Sequence, residues 1–148
     1  MAYIAVSMKS ISPSSRVPLA GQRILVAEDE SFIALELEGT LESFGCTVVG
    51  PVSRVEEVLR HALEGSCDGA LLDVNLRGRQ IFEILPKLQA LELPFIITSG
   101  YNDVTLFPAI FRALPRIAKP VDESELRRVC EHVFGNSLLG RRSRRFDV

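Results

Sequence analysis

Apolar residues in this chain follow two alternating patterns. The first is a set of short unbroken runs: Arg23–Ala27 (RILVA), Cys46–Val49 (CTVV), Ala70–Leu72 leading to Asp73, Phe95–Thr98 (FIIT) and Arg116–Ala118. Runs of this length, bounded by glycine, proline or polar residues, suit strands buried on both faces of a parallel sheet. The second pattern lies between the runs, where apolar residues recur at near-helical spacing. Ile33, Leu37, Leu41 and Phe44 form one such stripe, with Gly45 placed to end the helix. Val55, Val58, Leu59 and Ala62 form the next, with Ser53 as its N-cap and Glu56 completing a capping box. A third helix over about Gln80–Leu91 buries Ile81, Leu85 and Leu88, and Pro86 should kink or shorten it. Val104–Leu114 predicts a weak helix, since Pro108 sits inside it. The last stripe is Leu126, Val129, Cys130 and Val133, capped by Asp122 with Glu125 and ended by Gly135. Gly50-Pro51 closes the second strand.

Strand and helix thus alternate five times with short connections. That pattern predicts a doubly wound α/β fold, a (βα)5 flavodoxin-like unit with a parallel five-stranded sheet in the order 2-1-3-4-5. Residues 22–135 form this domain. Met1–Gly21 carries five serines, Pro13 and Pro18 and shows no sustained period, so it reads as a flexible arm. Asn136–Val148 is a basic tail with Arg141, Arg142, Arg144 and Arg145, too short for a DNA-binding domain. A chain of 148 residues holds one such domain without needing a disulfide or structural metal.

In a parallel sheet every strand delivers its carboxyl end to the same edge. The first strand delivers Glu28 and Asp29, the third Asp73, the fourth Ser99 and the fifth Lys119. In the order 2-1-3-4-5 the first and third strands are neighbours, so three carboxylates meet. They repel one another unless a cation joins them, and hard oxygen ligands suit magnesium (Mg2+). A hydroxyl and an ammonium on the other flank are what a phosphoryl group needs for two of its oxygens. The constellation reads as a site for phosphoryl transfer to Asp73. Each member also has a plainer reading. Asp73 could cap a helix, the acid pair could serve a helix N-terminus, Ser99 could belong to a turn, and Lys119 could be solvated.

A net charge of −2 gives no electrostatic footprint for nucleic acid. Cys46, Cys67 and Cys130 are widely spaced and odd in number, which fits neither a disulfide framework nor zinc and points to a reducing, cytoplasmic setting. No apolar run reaches membrane-spanning length, and no signal peptide is read at the N-terminus.

The pieces LVAEDE, LLDVNL, TSGY and AKP, in this order, resemble the receiver domain of two-component response regulators from about Gln22 to Phe134. The resemblance implies that Asp73 is the phosphoacceptor, Asp29 a direct magnesium ligand, Glu28 a ligand through water, and the Asn75 carbonyl a further ligand. It implies Ser99 as the switch hydroxyl and Lys119 as the phosphate-binding lysine. The donor would be a sensor histidine kinase or histidine phosphotransfer protein. The product would be a stand-alone, single-domain regulator, monomer or weak dimer, acting by protein contact or phosphate shuttling and hydrolysing its own phosphoryl group. Typical receivers place Tyr or Phe three residues before the lysine, where this chain has Arg116. Tyr101 instead follows Ser99-Gly100, which resembles the FATGUY subgroup and makes Tyr101 a switch residue. The partner face would then run along the fourth helix, fifth strand and fifth helix. Two other readings stay open. A haloacid-dehalogenase-type phosphatase also uses a strand-end Asp, but it carries a second Asp where this chain has Asn75. A pseudo-receiver would bind partners without taking phosphate, against which the intact acid, hydroxyl and lysine count.

Overall fold

A computed structural model of the chain describes residues 19–100 and 107–135. In chain order the elements are β1 Arg23–Ala27, α1 Ser31–Ser43, β2 Thr47–Val52, α2 Val55–Glu64, β3 Gly69–Asp73, β4 Asn75–Leu76 and β5 Arg79–Gln80. After them come α3 Leu85–Ala90, β6 Phe95–Ser99, β7 Arg116–Ala118 and α4 Glu123–Cys130. The main sheet is parallel throughout, in the order β2-β1-β3-β6-β7. Leaving out the β4–β5 hairpin, this is the expected 2-1-3-4-5.

Successive strand residues face opposite ways, so each central strand feeds two cores. Leu25, Leu72 and Ile97 pack with α2 and α3 on one side. Ile24, Val26, Leu71 and Ile96 pack with α1 and α4 on the other. The second core is drawn tight where α4 runs on into a wider π turn, Glu131–Gly135. There Phe134 packs against Gly69 of β3, and a Cβ on that glycine would stand 2.6 Å from its ring. The buried Gln22 amide donates to the Phe134 carbonyl at 3.1 Å, closing the same corner.

Several local expectations change. The second strand does not close at Gly50-Pro51 but runs through to Val52. Gly50, at φ 91, and a register shift opposite Leu25–Ala27 absorb the extra residue, and Glu28 N–H still reaches the Val52 carbonyl at 2.9 Å. Ser53 does not cap α2. Arg54 holds the N-cap position without a side-chain bond. Glu57, not Glu56, reaches back to the Ser53 amide at 3.2 Å, while the Ser53 hydroxyl is taken by Arg77 Nε at 3.1 Å. Pro86 sits in the first turn of α3 rather than its middle, because a 3-10 turn, Ile81–Ile84, leads in. A proline is tolerated there, where its missing N–H has no partner to lose. Ile81, Leu85 and Leu88 are buried as expected.

The described part of the expected fourth helix is a single 3-10 turn, Ala109–Phe111, preceded by Pro108 in an extended conformation. Pro115 closes the segment, and residues before proline disfavour helix. Asp122 caps α4 by accepting the Glu125 N–H at 2.9 Å, as the pattern implied. Leu19, expected in the arm, is buried in the α1–α4 core at 2% exposure. Residues 1–18 of the arm, the tail 136–148 and Tyr101 lie outside the described residues. All three cysteines are buried and none is in a disulfide. Among the described residues no helix is long and apolar enough to cross a membrane.

Candidate functional site

The carboxyl edge of the sheet brings together the five expected strand-end positions. Glu28 follows β1, is 3% exposed, and accepts the Glu30 N–H through Oε2 at 3.1 Å. Asp29, half-buried, accepts the Arg77 N–H through Oδ2 at 2.9 Å. Asp73 ends β3, is 6% exposed, and accepts the Asn75 N–H through Oδ1 at 3.3 Å. Carboxylate oxygens of these three residues lie within 4.8 Å of one another.

One cation answers them directly. Lys119 Nζ donates to Asp73 Oδ2 at 2.9 Å. It also stands 2.9 Å from Glu28 Oε1, an ion-pair distance. Burial pushes the Asp73 carboxyl up to about 6, against the pull of Lys119 and the Asn75 N–H, and Glu28 adds to the rise. Burial alone would lower Lys119, but the contacts with Glu28 and Asp73 hold it above its ordinary value. Ser99, the last residue of β6, is buried, and its carbonyl accepts the Lys119 N–H at 2.8 Å. The main chain therefore ties Ser99 and Lys119 as neighbours on one flank.

Three acids against one ammonium leave the cleft with an excess of negative oxygen donors. That donor set fits a hard divalent cation, which needs few carboxylates and keeps its remaining positions for water or phosphate oxygen.

The sequence reading missed the β4–β5 hairpin and the role of its tip. Val74 ties both neighbours, its N–H reaching the Thr98 carbonyl and its carbonyl accepting from Ile81 N–H. The chain then turns at Arg77 and Gly78, with φ of 50 and 83. Two successive positive φ values match a two-residue hairpin turn of the mirror-image type, which usually carries Asn-Gly or Asp-Gly. Arg-Gly hides that signal, although Gly78 itself was legible.

A model of the response regulator receiver domain matches residues 24–131 of the chain. Solved structures give the same likeness. SdrG from Sphingomonas melonis Fr1 is 33% identical with a TM-score of 0.67, over 82% of this chain and 98% of that one. The signal receiver domain of a modulated diguanylate cyclase from Desulfovibrio desulfuricans G20 is 32% identical with a TM-score of 0.70, over 81% and 98%. The receiver domain of the sensor histidine kinase PA1611 from Pseudomonas aeruginosa PAO1 has a magnesium ion coordinated in its active site cleft. It is 25% identical with a TM-score of 0.67, over 78% of this chain and 99% of that one. No curated protein matches the chain significantly.

Proposed function

This chain belongs to the response regulator receiver domain family, and on that premise we propose that it accepts a phosphoryl group on Asp73 from a sensor histidine kinase or histidine phosphotransfer protein. Receiver domains bind magnesium at their acidic site and interact with such proteins. Here Asp29, Asp73 and the Asn75 carbonyl would hold the ion, with Glu28 contributing through water. When bound, the ion supplies positive charge against the phosphoryl oxygens. An Asp73 carboxylate oxygen forms the new bond to phosphorus while the bond to the donor nitrogen breaks. Lys119 already contacts Asp73, so its ammonium is in place to follow the incoming charge. Ser99 would donate its hydroxyl to another phosphoryl oxygen, a charge-assisted hydrogen bond. Buried thiols outside any disulfide suit action in the cytoplasm.

One observation carries the reading: Lys119 Nζ lies 2.9 Å from both Asp73 and Glu28, within a cluster of carboxylates that have room for a cation. Acetyl phosphate or phosphoramidate with magnesium should produce a base-labile acyl phosphate on the chain. Asp73→Asn should abolish it, and equal labelling of that variant would refute the assignment. Asp29→Asn should weaken magnesium binding more than Glu28→Gln does.

A further inference from the structure

We infer that Arg77 is a donor-binding residue, whose guanidinium captures the phosphoryl dianion at the mouth of the acidic cleft before transfer to Asp73. The inference rests on the phosphoryl-accepting reading above and adds a residue that reading does not use.

Arg77 stands at the hairpin tip and does two things there. Its N–H holds Asp29 Oδ2 at 2.9 Å, so the residue is fixed at the edge of the carboxylate cluster. Its side chain crosses to the loop before α2 and donates Nε to Ser53 Oγ at 3.1 Å. Glu28, Asp29, Glu38, Ser53 and Arg77 line one open cleft of about 250 Å³, which meets the carboxylate cluster at Glu28 and Asp29 and does not itself include Asp73.

The charge of Arg77 is spent differently from that of its neighbours. Arg79, two residues on, is paired with Glu56 and Glu83. Arg23 is paired with Asp68. Lys119 is shared between Glu28 and Asp73. Arg77 forms no ion pair among the described residues. Its anchor is a neutral hydroxyl that occupies Nε, which leaves the two Nη groups to meet a ligand. That fork matches two oxygens of a phosphoryl group. A dianion approaching three carboxylates meets repulsion, and a cation held at the rim offsets it during approach.

The transfer step needs nothing from Arg77 beyond charge. With phosphoramidate, an Asp73 oxygen bonds to phosphorus as the P–N bond breaks, and the amine leaves with the electron pair and takes a proton from water. The shared ligand is the phosphoryl dianion, whether carried by a small molecule or by phosphohistidine.

The test measures initial rates of Asp73 labelling against donor concentration at saturating magnesium. Magnesium affinity is measured separately, without donor. For Arg77→Gln the half-saturating concentration of phosphoramidate or acetyl phosphate should rise about threefold to tenfold, the range of one exposed charge-assisted contact. Magnesium affinity should not fall. Arg77→Lys should recover part of the loss, and Ser53→Ala, which frees the side chain, should cost about twofold. Added salt should raise half-saturation for the wild type more than for Arg77→Gln. Unchanged half-saturation in Arg77→Gln overturns the inference. So does a fall in magnesium affinity that accounts for the rate, since Arg77 would then act only by supporting Asp29. A phosphotransfer protein as donor separates the two sources: the same shift shows capture of phosphohistidine too, and no shift restricts Arg77 to small donors. If the wild type itself takes no label, it is the phosphoryl-accepting reading that fails.

Discussion

The β1–β3 side of the cleft and the β6–β7 side carry comparable chemistry on different supports. On the first side each acid is held by a backbone N–H: Glu28 by Glu30, Asp29 by Arg77 and Asp73 by Asn75. The strands beneath are buried along almost their whole length. On the second side β7 has three residues, two of them exposed. The turn that precedes it rests on ring contacts. Phe82 meets Phe107 edge-on at 4.9 Å and stacks on Phe111 at 5.8 Å, while Arg116 lies 5.2 Å over the Phe107 ring. Main-chain bonds to a fixed donor leave a carboxylate one position. Ring and cation contacts tolerate sliding. The proposed phosphoryl transfer would use both kinds of support, a fixed half to hold the ion and a pliable half to respond as Ser99 turns toward phosphate.

Lys119 is the link between the halves, and removing it gives the largest expected effect. Lys119→Ala leaves Glu28 and Asp73 buried together without a counter-charge and should lower stability at neutral pH by about 2–3 kcal/mol, less than a fully buried pair because the ammonium is partly exposed. Magnesium should restore much of it. Denaturant unfolding with and without the ion checks this, and a loss that magnesium leaves untouched would contradict a shared site.

Gly69→Ala tests whether the fixed half is as unyielding as its packing suggests. The new Cβ would stand 2.6 Å from the Phe134 ring, and overpacking of this kind costs about 2 kcal/mol. A change near zero in the unfolding midpoint would mean that the β3–α4 contact gives way.

The Asp73 proton offers a smaller, reversible probe. Its carboxyl is raised from 3.8 to about 6 by burial, so the folded state binds the proton more tightly than the unfolded chain. The associated stability is complete below the unfolded value and is lost as pH rises through the folded one. The metal-free protein should lose about 1–2 kcal/mol from this group across that window, discounted for solvent that still reaches the carboxyl. Asp73→Asn should flatten the profile, and an identical slope in both proteins would assign the effect elsewhere.

Arg116→Ala should do least to stability, about 0.5 kcal/mol for an exposed cation–π contact. Its sharper readout is amide exchange over Phe107–Arg116, which should speed up while β1 and β3 stay protected. Equal acceleration in both regions would erase the distinction between the halves.

The fold and most of the candidate site were legible because the central strands are single apolar runs, and four of the five predicted strands end at a candidate site residue. Asp73 and Lys119 needed no tertiary information to be singled out. What escaped depends on partners remote in sequence. Ser53 looked like a cap because nothing nearby competes for its hydroxyl, and Arg77 takes it from the hairpin. Pro86 looked disruptive because the 3-10 turn before it has no pattern of its own. Leu19 and Phe134 are single apolar residues at the margins, and only their meeting in the α1–α4 core gives them a role. The segment after Ser99 carries two prolines, and its ring packing with Phe82 leaves no period to read.

β2 and β7 are the outer strands of the described sheet, and their shapes bear on how copies of this protein behave at high concentration. β2 has Pro51 within it, which lacks an N–H, and its register breaks opposite Leu25–Ala27. β7 ends after three residues. Strand addition needs a long, even row of free donors and acceptors. Neither border supplies one, so growth into stacked sheets is blocked at both ends, and crowding of this receiver should favour contacts between its helices.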